Sequence, residues 1–111
     1  MSAPVAEPDY AVVLTACSAD MAPRIAEALV AARLAGCVQR MPIESTYRWK
    51  GEIETAYETL LLIKIRAADY AAVEQAIRAL HDYDVPEIIA VPVAQGFAGY
   101  LSWLDEVTQR S

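Results

Sequence analysis

Histidine occurs once in this 111-residue chain and cysteine twice. Imidazole chemistry therefore rests on one position, His81. Cys17 and Cys37 show no metal-type spacing, and no C-x-x-C pattern occurs. Two cysteines in a chain that can build a good core point to a reducing compartment, not a disulfide framework. Each reads as a buried, inert thiol, with a Cys–His pair to His81 as the rival reading. Basic residues are also scarce: nine Lys and Arg stand against fifteen Asp and Glu, a formal net charge of −6. That balance argues against a nucleic-acid binder, which needs a basic face for phosphates. It suits ordinary solubility and is compatible with cation attraction. Long apolar runs are missing. Ala11-Val12-Val13-Leu14 is too short for a signal core or a membrane span, and Met1 to Pro8 lacks a basic region. A soluble, cytoplasmic protein with no membrane partner is expected. No G-x-S-x-G, Walker loop, H-E-x-x-H or dinucleotide fingerprint occurs, so no enzyme is expected.

What the chain does have is apolar material, at 56% of residues, inflated by alanine. That is enough for one core. We expect a loose tail over residues 1–9 and a single domain over 10–111. Tyr10 to Ala16 reads as a buried strand. Ser18 or Asp20 can cap a helix that faces Ile25, Ala28, Leu29 and Ala32 inward, with Gly36 as its stop. Cys37 to Trp49 reads as a long strand bent near Pro42, and Lys50-Gly51 as a hairpin turn. The return strand alternates at first, then runs through Leu60-Leu61-Leu62-Ile63, which looks buried on both faces. Asp69 can open a second helix with Tyr70, Val73, Ala76, Ile77 and Leu80 inward. Glu87 to Val93 is the fourth strand, with Pro92 at an edge or end. Gly96 to Gln109 is a closing helix. The order predicts an α+β, ferredoxin-like βαββαβ fold with a long central hairpin and a C-terminal helix. Two helices cover one sheet face. The other face stays apolar and uncovered, so burial in an oligomer is expected.

Three stretches carry candidate chemistry. The run His81-Asp82-Tyr83-Asp84-Val85-Pro86-Glu87 places an imidazole, a phenol and three carboxylates between a helix and a strand. Such groups can ligate a metal or move protons. A histidine capping the negative end of a helix is the plainer reading. Tyr47 and Trp49 share one strand face of the hairpin, which suits a subunit contact, with a small-molecule platform as the rival. Lys64 lies inside Leu61-Leu62-Ile63-Lys64-Ile65 and needs a carboxylate or a polar cleft. Glu58 is on the same strand face but too far along to reach it.

Together these residues resemble a known family. Ser45-Thr46-Tyr47-Arg48-Trp49-Lys50-Gly51, Glu58 with Leu62-Ile63-Lys64, His81-x-Tyr83-x-Val85-Pro86-Glu87 and Tyr100-Leu101-x-Trp103 look like the CutA divalent cation tolerance proteins. Leu34-Ala35-Gly36-Cys37-Val38 is similar to a further stretch of that family, and the likeness runs from Val12 to Val107. The resemblance implies a subunit architecturally close to the PII signalling proteins and a tight homotrimer with β-pairing between subunits. It implies a role in tolerance to divalent cations, copper in particular, with a weakly bound divalent metal as the one possible cofactor. The family's copper ligands fall by position on Leu14, Leu80 and His81, and only the last can ligate a metal. Asp82 stands where proline is usual and Ile65 where threonine is usual. Oxygens from Asp82, Asp84 or Glu87 would favour harder cations. We take His81 and Glu87 as the candidate metal residues. Lys64, Tyr83, Glu58 and Trp49 are the candidate cleft residues. Tyr47, Trp49 and Trp103 are the candidate interface residues. A PII-like sensor holding a small anionic ligand between subunits through Lys64, or a purely structural trimeric scaffold, are the alternative functions.

Overall fold

A computed structural model describes residues 8–110. Most of the expected N-terminal tail, residues 1–7, lies outside the described residues. The Asp9 carbonyl accepts the Ala67 N–H at 2.8 Å, which ties the residue before the first strand to the fold.

The element order is β1 (Tyr10–Cys17), α1 (Met21–Ala31), β2 (Cys37–Trp49), β3 (Glu52–Arg66), a short 3₁₀ turn (Ala67–Asp69), α2 (Tyr70–Leu80), β4 (Ile88–Pro92) and α3 (Ala98–Val107). The four strands form one sheet in the order β2-β3-β1-β4. All neighbouring pairs are antiparallel. This is the α+β arrangement that the alternation of patterns predicts.

Register sorts the side chains into two faces. Val13 lies opposite Ile63 and Ala11 opposite Ile65, so these share a face. That face packs on α1 and α2 and forms the core with Ile25, Leu29, Leu61, Val73 and Ile77. Val12, Leu14, Leu60 and Leu62 point the other way and are half-buried in the single chain. The Leu60–Ile63 run is therefore buried on one face only within the chain. On that second face Met41, Ile89 and Val91 are 48%, 51% and 47% exposed.

The hairpin turn is as its sequence requires. Lys50 and Gly51 have φ of 50° and 84°, both in the left-handed region that a two-residue turn between twisted strands needs. Pairing of β2 with β3 runs unbroken from Cys37 to Trp49 through Pro42, which is tolerated because β2 is an edge strand.

Two local expectations need correction, and one open alternative resolves. Asp20 makes no side-chain cap; Ser18 does, its Oγ accepting the Met21 N–H at 3.2 Å. Helix α1 is not stopped by Gly36, because Arg33 takes the left-handed turn at φ 60° and the Leu34 and Ala35 N–H groups return to the Leu29 carbonyl. Gly36 serves close packing instead: a Cβ there would sit 2.5 Å from Leu104 Cδ1. Leu80 faces out, at 39% exposure, because α2 ends there and the chain turns extended at His81.

The closing helix is shorter than predicted. It lies against the second sheet face at one corner, where Tyr10 donates to Asp105 at 2.9 Å and Leu104 is buried. Its end is clamped by charge. Arg110 donates to both Asp69 oxygens, at 2.6 and 3.3 Å, and to the Arg33 carbonyl at 2.7 Å. Arg66 reaches Asp69 and the Thr108 carbonyl at 3.3 and 3.4 Å.

Candidate functional site around the His81 loop

His81 is the residue at which α2 stops. Its N–H still bonds the Ile77 carbonyl at 2.8 Å, but its backbone turns extended at ψ 139°. That turn directs the ring under the loop 81–87 and onto the end of β1. The side chain is fully buried. Nε2 lies 2.8 Å from the Ala16 carbonyl oxygen, and the Tyr83 N–H donates to Nδ1 at 3.2 Å. One tautomer satisfies both contacts: Nε2 carries the proton and Nδ1 is the bare acceptor. Both ring nitrogens are thus engaged with backbone. The Asp82 carboxylate is 3.8 Å from Nδ1, beyond hydrogen-bond range.

Tyr83 continues the cluster. Its ring meets His81 edge-on, with centroids 4.6 Å apart, and its hydroxyl donates to Glu58 Oε1 at 3.0 Å. Burial, and then the bond and charge of Glu58, push the Tyr83 hydroxyl up to about 12. Cys17 closes the same corner from the end of β1 and is fully buried. Burial first, then the charges of Asp82 and Glu58, raise its thiol, so it stays protonated near neutral pH. A protonated, buried thiol is a poor nucleophile and a poor metal ligand.

The structure brings His81, Tyr83 and Glu58 together and separates the other candidates within one chain. Lys64 is six residues along β3 from Glu58, about 20 Å at the usual rise. It donates to Gln39 Oε1 at 2.5 Å, an amide partner the sequence did not suggest. Trp49 pairs with Glu52 at the hairpin tip, while Glu58 pairs with Ile43, again about 20 Å away. Tyr47 and Trp49 are 44% and 39% exposed there, and the Lys50 ammonium lies 5.9 Å from the Trp49 ring centre. Trp103 is on α3, 40% exposed and 5.5 Å between centroids from Tyr100. Glu87 is exposed at the entry to β4. Leu14, one of the positions to which the resemblance assigns a ligand, pairs with Leu62 and Ile89 on the open sheet face.

These residues do not form a copper centre in one chain. The imidazole has no lone pair to give without breaking its bond to the Tyr83 N–H. Among the described residues, no group of three or more His, Cys, Asp or Glu is placed to hold a metal ion. Sequence reasoning also missed the Arg66–Asp69–Arg110 cluster. Asp69 was expected only to open α2, yet its side chain makes no helix cap. The local signal was Arg66 three residues before Asp69; Arg110 lies 41 positions on, and no spacing rule joins it to them.

Comparison with known proteins supports the same frame. The family profile described as "CutA1 divalent ion tolerance protein" matches residues 10–107. The Thermus thermophilus "Divalent-cation tolerance protein CutA" is 45% identical over 98 residues, covering 87% of this chain and 95% of that protein. Among solved structures, the periplasmic divalent cation tolerance protein CutA from Archaeoglobus fulgidus is similar with a TM-score of 0.88 at 35% identity. That match covers 90% of this chain and 99% of the other. CutA1 from Oryza sativa is similar with a TM-score of 0.89 at 38% identity, covering 94% and 97%. Profile, sequence and fold agree across nearly the whole described chain, which belongs to the CutA1 divalent ion tolerance family.

Proposed function

We propose that the protein acts as a homotrimer in tolerance to divalent cations, and that assembly is what makes it active. The observation that carries this is the second sheet face. Val12, Leu14, Met41, Leu60, Leu62, Ile89 and Val91 line it, and α3 covers only one corner. An apolar face of this extent is unfavourable in water and favours association. Among the described residues, both sheet edges, β2 and β4, also have one side free for pairing with another copy. The hairpin tip carries Tyr47 and Trp49 outward, as a subunit contact requires. No catalytic reaction is proposed, and two free cysteines favour the cytoplasm.

In this reading copper is not held by His81 inside one chain. Any cation is bound weakly, through carboxylate oxygens or a site completed between copies. The test is growth of a host lacking its own family member under Cu(II), Zn(II) and Cd(II). Wild type should restore tolerance, and Ile89→Asp, which charges the open face, should not. Equal tolerance with both proteins would sink the link between assembly and function.

A further inference from the structure

We draw no further inference here: the strongest candidate, the open cavity where α1 and α3 end, lined by Arg33, Glu106, Gln109 and Arg110, belongs to the clamp already described, its guanidinium groups being engaged with Asp69 and with the Arg33, Val107 and Thr108 carbonyls while Glu106 sets a carboxylate on the same wall.

Discussion

At the scale of single residues, His81 shows why residue type alone underdetermines function. A histidine beside three carboxylates reads as a ligand or as a helix end. The fold makes it a pin: one nitrogen holds the β1 carbonyl and the other holds the loop N–H. Its partner Ala16 is 65 positions away, so no local pattern could reveal the contact. His81→Ala should therefore lower stability by about 2–4 kcal/mol, through two lost hydrogen bonds and a cavity. Urea unfolding measures that. Cu(II) affinity, followed by calorimetry and electron paramagnetic resonance, should change by less than roughly threefold. Nitrogen coupling in the Cu(II) spectrum that disappears in the mutant would show instead that the imidazole ligates. Tyr83 gives a pH prediction. Its folded value is raised to about 12, above the ordinary 10.0. A group raised on folding contributes stability below its unfolded value and loses that contribution as pH rises through the folded one. The Tyr83–Glu58 contribution should hold below pH 10 and vanish between about 10 and 12. Ultraviolet titration of wild type against Tyr83→Phe should show one late phenolate missing from the variant. Identical curves above pH 10 would contradict the assignment.

At the scale of elements, the strands were legible because alternation and apolar runs report faces directly. Tyr10–Cys17, Cys37–Trp49 and Glu52–Arg66 follow from period two and from the Lys50-Gly51 turn. Helix ends were less legible. Gly36 looked like a stop, yet the left-handed turn fell on Arg33, and the glycine is there for the close approach of α3. That approach joins residues distant in sequence, and periodicity carries no information about it. The Asp69 clamp is the same kind of feature, with Arg110 lying 41 positions on. It fixes the end of α3 to the start of α2. Asp69→Asn should cost about 1–3 kcal/mol, below the range for a fully buried pair because both guanidinium groups are one-third exposed. Hydrogen exchange should locate the loss in α3. Unchanged protection of α3 amides would mean that Leu104 packing alone secures the helix.

At the scale of the whole molecule, the sequence pattern asked for partners, and the fold explains the demand. One sheet face makes the core; the other is apolar and mostly bare, and the hairpin extends past the helices with its aromatics outward. The candidate site was only partly legible. Tyr83 and Glu58 do meet, but Lys64 and Trp49 stand far from them in one chain. Whether those groups converge depends on how copies pack, which a single chain does not encode locally. Assembly is therefore the claim on which the functional reading turns. Light scattering on a size-exclusion column tests it most directly. A trimer gives a particle of about 36 kDa, three times the 12.1 kDa chain, falling toward the chain mass in Ile89→Asp. A wild-type particle of 12.1 kDa at micromolar concentration would contradict it.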